Sequence, residues 1–119
     1  MGKIILIGAS PNPARFSYKA VKSLIEHDFK VLAIGFREGK IGDLDIMKDM
    51  VPVKDVDMII LYLGAERQRS YYDYMIELKP KEIWFNPGTE NAELAQIAMD
   101  HDIGIRYECA LVALEAGLL

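Results

Sequence analysis

Apolar residues in this chain fall into short uninterrupted runs separated by polar, turn-rich stretches, and five of the runs read as strands. Lys3 to Gly8, Lys30 to Gly35 and Asp57 to Leu63 are continuous apolar segments bounded by turn residues. Strands buried on both faces of a parallel sheet have this pattern. Glu82 to Phe85 and Gly104 to Tyr107 are shorter, rich in isoleucine and aromatic side chains, and follow the same rule.

Between the runs the spacing becomes helical. In Ser17 to His27, Ala20, Val21, Leu24 and Ile25 share one face while Lys19, Lys22 and Glu26 turn outward, and Asp28 closes the segment. Glu66 to Lys79 carries Tyr71, Met75 and Leu78 on a stripe and is stopped by Pro80, whose ring cannot continue a helix. Thr89 is the expected N-cap of Glu90 to Asp100, with Leu94, Ile97 and Ala98 facing inward. A last short helix is expected from about Cys109 to Glu115.

Strand and helix therefore alternate with short connections, which predicts right-handed βαβ crossovers. The expected fold is a single α/β domain: a three-layer, Rossmann-like, doubly wound sheet of five parallel strands. One connection is long. Glu38 to Val56, with Gly39, Gly42, Asp43 and Asp45, reads as a polar crossover holding at most a helical fragment near Ile46 to Met50.

Composition narrows the class. A chain of 119 residues, 51% hydrophobic and 27% charged, has the balance of one globular domain. At that length folding buries roughly two-thirds of the unfolded surface, so no metal or disulfide staple is needed. The net charge of −4 carries no run of Lys or Arg, which argues against nucleic acid or an anionic membrane as partner. Cys109 is the only cysteine and suits a reducing compartment. The apolar start, Met1 to Gly8, is too short for a membrane span, lacks a small-residue cleavage site and reads as a strand, so a cytoplasmic location is expected.

In an open parallel sheet, ligands collect outside the carboxyl ends of the strands, where strand order reverses. Four loops there stand out. The first runs from Gly8 to Ser17. Gly8 and Ala9 allow close backbone approach, N–H groups at the following helix start face an anion, and Ser10, Asn12 and Ser17 add side-chain donors. Arg15, with Phe16 beside it, adds a guanidinium fork suited to phosphate. The plainer reading is a tight βα turn with Ser17 as a cap. Only one glycine, Gly8, occupies the positions of a G-x-G-x-x-G fingerprint, which weakens an NAD assignment.

The second loop, Gly35-Phe36-Arg37, weakens it further, because an acidic residue usually holds the ribose hydroxyls of NAD at this point. Arg37 suits a ribose phosphate instead, as in NADP or the 3′-phosphate of coenzyme A, and Phe36 offers a surface for adenine. Arg37 as a solvated loop-tip residue is the other reading. The third loop is Leu63-Gly64-Ala65-Glu66, the fourth Asn86-Pro87-Gly88-Thr89. Both are placed to line the same cleft, although Gly64 also serves as a strand terminator and Thr89 as a cap.

Gly8-Ala9-Ser10-Pro11-Asn12-Pro13 with Arg15 and Ser17 resembles the opening of the small stand-alone CoA-binding domain proteins, relatives of the N-terminal domain of the succinyl-CoA synthetase alpha subunit. The resemblance extends to Val56-Asp57, Glu82-Ile83-Trp84, Gly88 and Cys109, and so covers essentially the whole chain. It implies a Rossmann-like fold binding coenzyme A, with Gly8, Ala9, Ser10, Asn12, Arg15 and Ser17 on the phosphate-binding loop. The chain departs from the family where Gly35-Phe36 replaces an Asn-Pro pair and where Leu63 and Gly64 replace basic residues. Asn86-Pro87 and Ala110 also differ, the latter from a proline.

No nucleophile or acid–base pair is evident. His27 and His101 sit at predicted helix ends on the edge away from the loops, too far for a base that must reach its substrate. Cys109 opens a predicted helix, a setting that lowers a thiol pKa, but cysteine is also among the most buried residue types. Three functions are therefore expected candidates: a non-catalytic coenzyme A or acyl-CoA binding protein working as carrier, sensor or partner subunit, in a homo-oligomer or with a partner protein; an NADP-binding oxidoreductase or redox sensor; and a structural subunit with a vestigial nucleotide site.

Overall fold

The computed structural model describes residues 2–119. Its centre is the strand β1 (Lys3–Ile7), paired in parallel on one side with β2 (Val31–Ile34) and on the other with β5 (Val56–Leu61). Beyond β5 lie β6 (Glu82–Phe85) and β7 (Gly104–Tyr107), also parallel. Beyond β2 lies β4 (Leu44–Met47), parallel to it, and then β3 (Gly39–Ile41), antiparallel at the edge. The order β3-β4-β2-β1-β5-β6-β7 is a doubly wound sheet whose direction of growth reverses between β1 and β5.

Alternation along the central strands divides the interior into two layers. Ile4, Leu6, Ile60 and Trp84 face α1 (Phe16–Glu26) and α5 (Ala110–Glu115) through Ala20, Val21, Leu24, Ala113 and Leu114. Ile5, Ile7, Ile59 and Leu61 face the opposite layer, built by α3 (Tyr72–Leu78) and α4 (Ala92–Asp100) with Tyr74, Met75, Leu94 and Ala98. Both faces of β1 and β5 are thus covered, which is why Ile4 to Ile7 and Met58 to Leu61 are apolar without a break.

The structure corrects the expectation of five strands: the described residues form seven. Residues 39–47 form a hairpin around the two-residue turn Gly42-Asp43, with Ile41 opposite Leu44 and Gly42 at φ +61°. A glycine followed by aspartate is a strong hairpin signal. Ile46 is buried against Ala33 and Met47 pairs with Ile34, so these residues extend the sheet and the helical fragment expected at 46–50 does not form.

Three smaller corrections concern helices. The segment expected as one helix over 66–79 is α2 (Ala65–Gln68), a single 3₁₀ turn (Arg69–Tyr71) and α3. Asn91, not Thr89, caps α4, its side chain accepting from Leu94 N–H at 3.1 Å. Thr89 instead donates its hydroxyl to Asn86 O at 2.8 Å. In α1, Ile25 is on the exposed side rather than with Ala20, Val21 and Leu24.

Candidate functional site

The reversal between β1 and β5 leaves a cleft of about 550 Å³ past their carboxyl ends. Its floor is local backbone. Gly8 follows β1 at φ +102°, and a Cβ there would press within 2.7 Å of the Tyr62 carbonyl, so only glycine lets the two strand ends close up. The N–H groups of Gly8 and Ala9 both donate to Ile34 O, at 2.8 and 2.9 Å, which ties the first loop to the end of β2. Gly35 is buried beneath Ala9, close enough that a side chain would strike the Ala9 carbonyl.

The rest of the first loop holds itself in shape. Asn12 N–H donates to Ser10 Oγ at 3.1 Å and Ala14 N–H to Asn12 Oδ1 at 3.0 Å. Each side chain still has hydrogens to donate: the Ser10 hydroxyl and the Asn12 amide. The chain then enters α1 with Arg15 at the cap position, extended in backbone and making no side-chain cap bond, and the first turn holds no acidic residue. The first helical bond is Lys19 N–H to Arg15 O. The N–H groups of Phe16, Ser17 and Tyr18 precede it, so the positive end of an 11-residue helix opens toward the cleft.

Three arginines surround this space. Arg15, Arg37 and Arg67 line the cleft and also a contiguous hollow of about 700 Å³ that adds Asn12 and Ser70. Among the described residues none of the three is in a salt bridge. Phe36 stands between them, 54% exposed, with the Arg67 guanidinium 5.0 Å from its ring centroid. Glu66 is the carboxylate on the same rim.

Of the residues singled out from sequence, Gly8, Ala9, Ser10, Arg15, Ser17, Phe36, Arg37, Leu63 and Gly64 all line the cleft, and Asn12 lines the adjoining hollow. Gly35 supports the floor from below. Four do not join them. Phe16 is 69% exposed on the outer side of α1, under the Lys19 ammonium at 5.4 Å, because Ser17, Ala20, Val21 and Leu24 take the inner side. Asn86 is buried with its amide turned inward, Nδ2 donating to Leu61 O at 2.9 Å and Oδ1 accepting from Ala110 N–H at 2.8 Å. Pro87 and Gly88 are exposed on the turn that Thr89 closes, outside the cleft. The fourth loop is thus a tie between β5, β6 and α5, which corrects its assignment to the cleft.

Ala65 and Glu66, the rest of the third loop, line the cleft as well, whereas sequence reasoning missed Tyr62 and Arg67. Arg67 had a signal: it lies within one helical turn of the strand end where the resemblance places basic residues. Its position depends on Gln68, which is fully buried. Gln68 Nε2 donates to Leu63 O at 2.9 Å and Thr89 O at 2.8 Å, and its Oε1 accepts from Asn91 Nδ2 at 2.9 Å. Tyr62 is held protonated well above the usual phenol range, chiefly by burial and then by the nearby Cys109 sulfur. Its hydroxyl is buried with no protein partner among the described residues. Cys109 itself is half-buried at the cap position of α5.

The histidines lie elsewhere. His27 and His101 follow α1 and α4 at the amino-terminal pole of the sheet, and their Nδ1 atoms bond Ser23 O at 2.7 Å and Ile97 O at 2.9 Å. The donor set around the cleft is cationic and amidic, with one aromatic platform. That set fits a ligand with several phosphate oxygens and a planar ring, in a volume within the usual range for small-molecule sites. Among the described residues no helix is long and apolar enough to cross a membrane.

Residues 2–115 match the family model described as CoA binding domain. The backbone superposes with a TM-score of 0.96 on the crystal structure of an uncharacterized protein that is 35% identical, over 100% of this chain and 98% of that one. A conserved hypothetical protein from Pyrococcus furiosus is similar at 27% identity and a TM-score of 0.82, over 94% of this chain and 98% of its own. A hypothetical protein from Pyrococcus horikoshii OT3, at 24% identity and 0.86 over 97% and 82%, supports the fold alone.

Proposed function

The chain belongs to the CoA binding domain family, and from that premise we propose that it is a non-catalytic coenzyme A or acyl-CoA binding protein. It acts as a carrier, a sensor or a subunit of a larger assembly. The observation that carries this reading is the set of three arginines, free of salt bridges among the described residues, disposed around one cleft with a helix start that has no side-chain cap. Arg15 and the opening N–H groups of α1 take the pyrophosphate, Phe36 carries the adenine, and Arg37 takes the 3′-phosphate. Ser10, Asn12 and Ser17 supply the remaining donors.

The arrangement suits binding rather than turnover. The histidines stand at the far pole, engaged with helix carbonyls, and the Tyr62 phenol is too weakly acidic to exchange a proton near neutral pH.

A thermal-shift series tests the reading. Coenzyme A at one hundred times its Kd stabilises a protein that binds it only when folded by about 2.7 kcal/mol. For a domain of this size that corresponds to a rise in Tm of roughly 10 °C. No rise at millimolar coenzyme A refutes the proposal. Dephospho-coenzyme A assigns Arg37: Arg37→Ala weakens coenzyme A by about tenfold or more but leaves the dephosphorylated ligand nearly unchanged. The presence of Arg37 where an NAD site has a carboxylate equally suits the ribose phosphate of NADP. Stronger stabilisation by NADPH than by coenzyme A decides for that alternative.

A further inference from the structure

The contact between Arg67 and Phe36 joins two residues that line the cleft, one on the loop after β2 and one on α2. Arg67 and Phe36 both line the cleft, so the covered face of the ring belongs to the wall of that space. A guanidinium 5.0 Å from the ring centroid leaves no gap for a base, which needs that same face at stacking distance. Base and guanidinium therefore exclude one another on that face of the ring.

The two ends of the contact differ in freedom. The backbone of α2 is pinned by Gln68, whose amide holds the carbonyls of Leu63 and Thr89. The Arg67 side chain is exposed, has no carboxylate partner among the described residues, and extends over both the cleft and the adjoining hollow. It can leave the ring by rotation about its own side-chain bonds, with no movement of the loop.

We propose that Arg67 is the specificity-determining residue of the cleft: it covers Phe36 until an adenine compound carrying phosphate displaces it, the base taking the ring and the guanidinium moving to the phosphate oxygens. The exchange rests on the nucleotide reading above. A phosphorylated ligand gains a charge-assisted contact as it uncovers the ring. An adenine compound without phosphate must uncover the ring and gives Arg67 nothing in return. The cleft thus discriminates for phosphate at the point where the base binds.

The test compares coenzyme A with adenosine on the whole protein, by calorimetry for the first and by chemical-shift titration of ¹⁵N-labelled protein for the second. In Arg67→Gln, coenzyme A affinity falls about tenfold, the loss of one charge-assisted contact partly offset by the freed ring. Adenosine affinity rises two- to fivefold, the weight of one exposed cation–π contact. Phe36→Leu weakens both ligands. Opposite signs in the one variant are the expected result, and a purely structural role for Arg67 moves both ligands the same way. If the two affinities shift together, or neither shifts while the wild type binds coenzyme A, the exchange is wrong and the nucleotide reading stands. If the wild type binds neither ligand, both fall.

Discussion

Replacing Asn86 by leucine separates a structural amide from a binding one. The two side chains share heavy-atom count and branching, so the change opens no cavity; its cost comes from two buried groups, with the bulkier methyls adding to it. Ala110 N–H, at the first position of α5 and in a residue only 2% exposed, loses its acceptor. Leu61 O loses the Asn86 Nδ2 donor. A buried polar group left without a partner costs about 1–3 kcal/mol, and the carbonyl at the lower end because it has two lone pairs. The expected loss is about 2–4 kcal/mol, or a fall in Tm of roughly 8–16 °C. Trp84, the only tryptophan and 1% exposed, reports unfolding in urea. The midpoint should fall with the slope unchanged. Coenzyme A affinity, measured where the variant is folded, should stay within twofold of wild type. Asn86→Asp adds a pH signature. The buried acid keeps the acceptor for Ala110 N–H but can donate to Leu61 O only when protonated, so its deficit against wild type grows as pH rises. A loss below about 0.5 kcal/mol, or a tenfold loss of affinity in a well-folded variant, contradicts the assignment of this residue.

Lys79 ends α3 at φ +50° and ψ +53°, a conformation that a Cβ opposes; Lys79→Gly should gain about 0.5–1 kcal/mol in urea denaturation, and a loss contradicts this. The Asp57 carboxyl is lowered below its ordinary pKa, first by the Gly2 N–H at 2.8 Å and also by Lys81 at 3.3 Å. Because the folded-state pKa is depressed, the stabilisation is present at neutral pH and lost as pH falls through and below the ordinary carboxylate range. The stability difference between wild type and Asp57→Asn should therefore shrink on acidification, and growth of that difference refutes the account. Arg15→Ala should weaken coenzyme A about tenfold or more and flatten the dependence of its affinity on salt; an unchanged salt dependence removes Arg15 from the phosphate contacts.

The parts of the fold that were legible are those in which burial is simple. β1, β2 and β5 contribute to the core on both faces, so Ile4 to Ile7, Val31 to Ile34 and Met58 to Leu61 carry no polar interruption and announce themselves. The hairpin at 39–47 sits at the sheet edge, its strands of three and four residues alternate between buried and exposed, and at that length they read as a polar connection. The turn signal at Gly42-Asp43 was present and was outweighed by the surrounding charge. The break between α2 and α3 has a different cause. Gln68 has the look of an outward-facing helix residue, yet it is fully buried because two carbonyls, one of them 21 residues away, require its amide. Periodicity within a segment carries no information about such a partner.

The same distinction explains which site residues could be read. Parallel topology determines where the strand ends gather, so the loops were placeable before any side chain was. Direction then depends on chemistry. An unpaired guanidinium is too costly to bury, so arginines at that edge have little choice but to stand in the open space between the loops, and Arg15, Arg37 and Arg67 do. An amide is under no such constraint: it satisfies buried carbonyls and N–H groups as readily as a ligand. Asn86 and Gln68 turn inward for that reason, whereas Asn12, exposed on a loop, keeps its amide donor free. Charged residues near a strand end are therefore the more trustworthy guide to a cleft, and the distance along the chain matters less than the edge on which they emerge. Arg67 illustrates this. It enters the cleft three residues past Gly64, from a helix rather than from the strand end, and still brings a cation to the side where Leu63 and Gly64 bring none.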